Sequence, residues 1–475
     1  MAQARTGSGM CGRQHVVVVG GGFAGMNAAH ALRHSSADVT LVDQHNYNTF
    51  QPLLYQVSTG YLPAEEVGAA LRSVFGRQHN LTVRVGTAAA VDWTDRTLRL
   101  QDSSALDYDY LILATGAETN FFGIAGMAAH AWPLYTLADA VRLRTHLLVE
   151  IEHAVGLAPS GGAQLTVVVV GGGATGVETA GALASMAREV VGPVATLRVI
   201  LVEAGGRLLT SFSARSSRRA LEHLRRGGVD VRLGRTVAAA DAQGVTLDGG
   251  ERIETGTVVW AAGVQANGLG HALGLELTRH GRVLVDQWLQ VPNHPGVFVA
   301  GDLAAATAAG RQAASEPSAP LPMLAPVAIQ TGRHVGEQVA QLIEGKPLAR
   351  FQYHDKGMLA VLGRGDAVAE LPLPLGANSA GRYPLRFAGL PAWLLWGGVH
   401  IVYLIGFRNR IKVLVDWGWS YLTSRGAGAI LLRSTDGLQP DALQPGDARK
   451  PEASPADPGA AFAREFTAAV DQSAQ

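Results

Sequence analysis

Cysteine is nearly missing from this chain of 475 residues: Cys11, in a polar N-terminal lead, stands alone. A single thiol excludes intrachain disulfides, cysteine-ligated iron–sulfur clusters and two-thiol redox couples. An excess of either charge is lacking too. Lys plus Arg and Asp plus Glu number 39 each, so no overall field recruits nucleic acid, and none is expected as a partner. Nowhere do His, Asp and Glu cluster at metal-ligand spacing, so no metal is expected. His400, inside an apolar stretch, reads as a packed or interfacial histidine. Residues 1–14 carry little charge and no apolar stretch of the secretory kind, which points to substrates met on the cytosolic side. Long apolar runs are equally scarce. Phe387–Phe407 is strongly apolar throughout and no second apolar segment of comparable length accompanies it, so a bundle of membrane helices conducting protons is not expected.

Glycine, by contrast, is abundant at 58 residues and clusters after β-branched runs. The length exceeds one ordinary core and implies two large lobes with appendages. The chain also begins the same way twice. Residues 15–32 read HVVVVGGGFAGMNAAHAL and residues 166–183 read TVVVVGGGATGVETAGAL. Each copy is a buried parallel strand, a Gly-x-Gly-x-x-Gly turn and a small-residue helix, the start of a βαβ unit.

Gly20, Gly22 and Gly25, and again Gly171, Gly173 and Gly176, supply a sharp turn, backbone approach to a pyrophosphate and close helix-to-strand packing. Phe23 and Ala24, or Ala174 and Thr175, open a helix whose unpaired N–H groups face the phosphates. A second strand ending in an acid follows each copy, VTLVDQ with Asp43 before Gln44, and LRVILVEAGGR with Glu203. A carboxylate there accepts hydrogen bonds from a ribose 2′-OH and repels a 2′-phosphate. Glu203 thus favours NADH over NADPH, with Arg207 read as a surface arginine. Two dinucleotide sites on one chain suggest one resident redox cofactor and one diffusible donor; the alternative is decorative glycine turns.

Three further stretches make the chain resemble the two-dinucleotide-binding-domain flavoproteins: YDYLILATGAETN with Ala114, Thr115 and Gly116; TVVWAAGVQAN with Ala262 and Gly263; and HPGVFVAGDLAAA with Gly301 and Asp302. The resemblance implies an α/β fold of two Rossmann-like domains, with non-covalent FAD at the first cradle and NADH as substrate at the second. It places Ala114, Thr115, Gly116, Gly301 and Asp302 at the flavin, and Ala262 and Gly263 at the NADH. It also implies a FAD-binding domain in two parts, 14–122 and 281–383, interrupted by an NADH-binding domain at 123–280.

Four stretches narrow the likeness. NYNTFQPLLYQVSTGYLPAEEV, GGGATGVETAG, LPMLAPVAIQTGRHV and YHDKGMLAVLGRGDAV, followed by the C-terminal segment, resemble the type II, non-proton-pumping NADH:quinone oxidoreductases. That resemblance implies oxidation of NADH and two-electron reduction of a membrane quinone. It implies catalytic roles for Glu178 and Gln330, and a quinone site including Ala325, Ile329, Gln330 and Lys356. Pro326 stands where the family usually has glutamine. Other readings remain: Thr175 to Glu178 fits a capping box in which the acid only caps its helix, Gln330 bonds only backbone, and Lys356 is a solvated surface lysine. Soluble NADH oxidases, ferredoxin-type reductases and NADH-sensing flavoproteins are the rival classes.

The segment WLLWGGVHIVYLIGFRNRIK, residues 393–412, suits a reductase that must come to the membrane for its oxidant. The uncharged run from Phe387 to Phe407 equals about 31 Å of helix, enough to cross a bilayer. Arg382 and Arg386 before it, and Arg408, Arg410 and Lys412 after it, make both ends basic, so it reads as lying in the interface. Trp393, Trp396, Trp417 and Trp419 suit headgroup depth, and residues 408–424 are amphipathic. Residues 384–432 are therefore expected as a two-helix anchor on a bilayer surface, making a monotopic protein of the cytoplasmic face. A core hairpin or homodimer contact is the alternative, and one platform can serve both. Residues 1–13 and 433–475 read as disordered, and 304–322 as a surface loop.

Overall fold

The structure, a computed structural model, describes residues 13–157, 163–188, 195–308, 319–372 and 385–423. Cys11, nearly all of the N-terminal lead, the middle of the 304–322 loop, Arg382, residues 424–432 and the tail beyond lie outside the described residues.

Two five-stranded parallel sheets grow from the two valine runs. In the first, His15–Val19 lies between Asp38–Asp43 and Tyr110–Leu113, with Leu81–Val85 and Val297–Val299 at the edges. In the second, Ala163–Val170 lies between Ala195–Glu203 and Thr257–Trp260, with Asp230–Leu233 and Ala131–Pro133 outside. Val16, Val17 and Val18 are fully buried, as a strand covered on both faces must be. Strand order reverses beside each central strand, and that switch opens a crevice at the carboxyl ends, just where each glycine turn begins. The chain leaves the first sheet after Leu113, builds the second, and returns as Val297–Val299. The antiparallel pair Ala117–Thr119 and Val264–Ala266 joins the two crossings.

The helix Phe23–Ala31 is clamped by the later helix Ala325–Ile343. The contact is between small residues: a Cβ on Gly332 would sit 2.0 Å from the Ala24 carbonyl oxygen, and one on Gly336 2.4 Å from that of Ala28. Pro326 falls in the first turn of that helix, where an N–H has no intrahelical partner to lose. The matching helix of the second lobe, Ala174–Met186, packs instead on an antiparallel sheet of Met358–Gly363, Asp366–Leu371 and Leu385–Ala388. There Gly181 is pressed against the Leu362 carbonyl, 2.2 Å from where its Cβ would be.

The uncharged run does not form one long helix. Leu385–Ala388 is an edge strand, Gly389 turns at φ 73°, and the helix Leu390–Tyr403 has 14 residues, about 21 Å. Gly406, at φ 88°, turns the chain again into the helix Phe407–Thr423. Arg410 closes the break, donating from Nε to the Leu404 carbonyl at 2.7 Å and from Nη2 to that of Val402 at 2.8 Å. Among the described residues no helix is long and apolar enough to cross a membrane.

Candidate functional site

Both glycine turns have the same construction. At Gly20 and Gly171, with φ of 106° and 110°, an added Cβ would meet the carbonyl oxygens of Ala114 and Ala261 at 2.3 and 2.6 Å. At Gly25 and Gly176 it would meet the oxygens of Gly20 and Gly171 at 1.7 and 1.8 Å. Gly22 and Gly173 face open space, where a ligand's phosphates need room. The acids lock each turn. Asp43 accepts from the backbone N–H of Gly21 at 2.5 Å and of His45 at 2.6 Å; Glu203 accepts from Gly172 at 2.5 Å and Gly205 at 2.6 Å. Each carboxylate retains further lone pairs for ribose hydroxyls. Gln44 is exposed next to Asp43.

The first crevice is lined by buried polar atoms without protein partners: Thr115 Oγ1, Asp302 Oδ1, Asn48 Oδ1, and Nε and Nη2 of Arg282. An orphaned buried group costs about 1–3 kcal/mol, so a polar ligand belongs here. Gly301 N donates to Thr331 Oγ1 at 2.9 Å, which fixes the Gly-Asp turn, and burial raises Asp302 to about 6 against the pull of Arg282. Phe23 stands edge-on to Phe50 at 5.7 Å, and Ala24 is buried beneath Gly301. These residues fit a resident dinucleotide. In the second crevice Gly173, Ala174 and Thr175 are exposed, as suits an exchangeable ligand. Phe122 stands over Gly263, next to Ala262.

Glu178 turns toward the strand Met358–Gly363. Its helix starts at Ala174 with Gly173 as the cap, so Thr175 caps nothing. The buried carboxyl accepts the Val361 N–H through Oε1 at 3.0 Å, and burial raises its pKa to about 8 against that bond. It lines a cavity with Tyr55, Gln56, Tyr61, Trp393, Trp396 and Trp417, among others. Gln330, Ile329, Ala325 and Lys356 do not line this cavity. The Gln330 amide instead grips His354 at both ends, accepting its N–H and donating to its carbonyl at 2.9 Å each, at the base of the loop that carries exposed Lys356. Tyr55, Gln56, Asn48 and Arg282 escaped the reading of the sequence; a polar residue inside an apolar run, as in PLLYQVS, was the available signal.

Residues 14–332 match the family model described as Pyridine nucleotide-disulphide oxidoreductase. The type II NADH:quinone oxidoreductase NdhA of Mycobacterium tuberculosis is 38% identical over 453 residues, 89% of this chain and 90% of that one. This chain belongs to the type II NADH:quinone oxidoreductases. Another family relative, from Staphylococcus saprophyticus, is 29% identical over 369 residues, 75% of this chain and 89% of that one. The fold is shared with NDH2 of Plasmodium falciparum, solved in complex with NADH: TM-score 0.75, 19% identity, 87% of this chain and 99% of that one covered. The disulphide in the wider family's description has no counterpart in a chain with one cysteine. Electrons in this type II enzyme must therefore leave without a thiol pair.

Proposed function

We propose that this chain is an FAD-dependent, non-proton-pumping NADH:quinone oxidoreductase working at the surface of a membrane. The observation that carries this reading is the Glu178 cavity: a buried acid at one side, and at the other three tryptophans of the two C-terminal helices. Those helices leave Leu394, Val402, Phe407, Val415 and Trp419 exposed, Phe407 at 78%, beside Arg386, Arg408, Arg410 and Lys412. Apolar side chains with flanking cations suit a headgroup interface, and an isoprenoid quinone is confined to the bilayer beyond it. The reading includes a monotopic attachment through residues 384–432 on the cytoplasmic face, and the same apolar face suits a homodimer contact. The domain plan is 14–122 with 281–383 for FAD, and 123–280 for NADH.

When bound, FAD would supply the two-electron redox chemistry that links NADH to the quinone. The chain's own residues bind, orient and move protons. The turn at Gly20, Gly22, Phe23, Ala24 and Gly25 would hold the FAD pyrophosphate, Asp43 and Gln44 its adenosine ribose, and Thr115, Gly301 and Asp302 its remaining polar groups. The turn at Gly171, Gly173, Ala174, Thr175 and Gly176 holds NADH, with Glu203 on its ribose and Ala262 and Gly263 beside its nicotinamide half. Glu178 carries a proton at neutral pH, because burial raises its pKa to about 8, and gives it to a quinone oxygen as negative charge develops there. Gln330, outside the Glu178 cavity, keeps one amide hydrogen beyond the one used on His354 for a separate quinone contact, with Ala325, Ile329 and Lys356 assigned to the same side.

The test is NADH oxidation by purified protein on anionic liposomes, with a short-chain benzoquinone under argon and with oxygen alone. Fast turnover only with quinone, and co-sedimentation with the liposomes, is expected. Equal rates with oxygen alone would make the chain an oxidase instead.

A further inference from the structure

Across the wall of the Glu178 cavity runs a hydrogen-bonded chain linking residues 361 positions apart. The indole Nε1–H of Trp417, on the helix Phe407–Thr423, donates to Gln56 Oε1 at 2.8 Å. Gln56 Nε2 then donates to the phenol oxygen of Tyr55 at 2.9 Å. All three residues line the cavity that Glu178 lines, and Tyr55 and Gln56 are buried.

The direction of this chain is fixed by chemistry. An indole nitrogen only donates, so the end of the Gln56 amide next to it is the carbonyl. The amide's other end, its NH2, therefore faces Tyr55, and the phenol oxygen accepts. The hydrogen of Tyr55 is thus turned away from Gln56. A phenol in this arrangement is a neutral donor with a fixed aim, and burial raises its pKa well above 10, so it keeps that hydrogen at all working pH values.

Resting on the functional reading above, we infer that Tyr55 donates its phenolic hydrogen to a carbonyl oxygen of the bound quinone, and that Gln56 and Trp417 are positioning residues that aim it. No covalent step is involved: Tyr55 steadies the oxygen on which charge accumulates, and Glu178 supplies the proton. Because Trp417 belongs to the C-terminal helix, the donor is aimed only when that helix is seated on the body. The acceptor site is complete only with the anchor docked.

The test uses full-length, FAD-loaded protein in four forms: wild type, Tyr55→Phe, Trp417→Phe and the double variant. Steady-state kinetics with a short-chain benzoquinone gives kcat and KM, quenching of tryptophan fluorescence by the same quinone gives its Kd, and thermal melting reports folding. Loss of one neutral hydrogen bond predicts that Tyr55→Phe raises quinone KM and Kd roughly tenfold, with the KM for NADH unchanged. Trp417→Phe is expected to raise them about threefold in wild type and to add nothing on top of Tyr55→Phe, since it acts through that phenol. Full additivity of the two substitutions, or a Tyr55→Phe variant that binds quinone like wild type, overturns the inference while leaving quinone reduction intact. A wild type inert toward quinone overturns the functional reading and this one together. Melting curves identify a variant that merely fails to fold, and Tyr55→Trp, which restores a ring N–H donor, must then recover quinone affinity relative to Tyr55→Phe for the inference to stand.

Discussion

Replacing Glu178 by Gln probes the acid and its burial in one substitution. The side chain keeps its volume, and the Val361 N–H keeps its acceptor. What disappears is the titration. Glu178 has its pKa raised from 4.5 to about 8 in the folded chain, which corresponds to about 5 kcal/mol of differential solvation. The folded state therefore holds a proton that the unfolded chain releases between pH 4.5 and 8, so this group's contribution to stability falls as pH rises through that window and is fully lost above 8. Glu178→Gln is expected to flatten that dependence, so that melting temperatures of the two proteins diverge as pH rises from 6 to 9. Removing a general acid lowers turnover by about 100- to 10,000-fold. Stopped-flow mixing with NADH should show the flavin bleaching at the wild-type rate, with slow recovery on adding quinone. If recovery stays within threefold of wild type, and melting curves keep the same pH slope, the reasoning about this acid is wrong.

Three other outcomes follow. Glu66, buried under the helix Phe407–Thr423, has its pKa raised to about 7 by burial and by sharing a hydrogen bond with Asp416, while Lys412 at 4.0 Å opposes. Its folded value exceeds its unfolded one, so helix docking weakens as pH rises from 4.5 through 7; amide exchange across residues 407–419 should be faster at pH 8 than at pH 6, and Glu66→Gln should erase the difference. Glu203→Gln removes the charge that repels a 2′-phosphate and, because an amide NH2 cannot accept, gives up one of the two N–H bonds from Gly172 and Gly205, so the preference for NADH over NADPH in kcat/KM should fall by roughly 10- to 100-fold; an unchanged ratio would show that specificity lies elsewhere. Gly332→Val puts methyl groups against the Ala24 backbone and should cost about 1–3 kcal/mol or more, seen as a lower melting temperature and faster flavin release on dilution.

Both cradles were legible because their signals are local. A valine run, glycines at fixed spacing and an acid one strand later occupy some thirty residues each, and their steric reasons appear at Gly20, Gly25, Gly171 and Gly176. The quinone side was harder, since its parts are brought together only by packing. Thr175 to Glu178 also fits a capping box in sequence, whereas the helix starts at Ala174 and the Glu178 carboxyl accepts from Val361. Tyr55 and Gln56 sit in an apolar stretch with nothing in their neighbourhood to reveal a partner as distant as Trp417. The run from Phe387 to Phe407 is long enough to cross a bilayer by length alone, while its basic ends and tryptophans speak for two helices instead. Gly389 and Gly406 break it by adopting positive φ, a choice set by the sheet and by Arg410.

The Val361 N–H that steadies Glu178 belongs to the strand Met358–Gly363, in the same small sheet as Leu385–Ala388, the strand from which the two surface helices hang. The path from those helices to that amide runs through two ladders, from Leu385–Ala388 to Asp366–Leu371 and from there to Met358–Gly363. On the proposed membrane attachment, detergent, lipid or a fused tag acts on that same sheet, so rates on solubilised protein are to be compared with rates on liposomes.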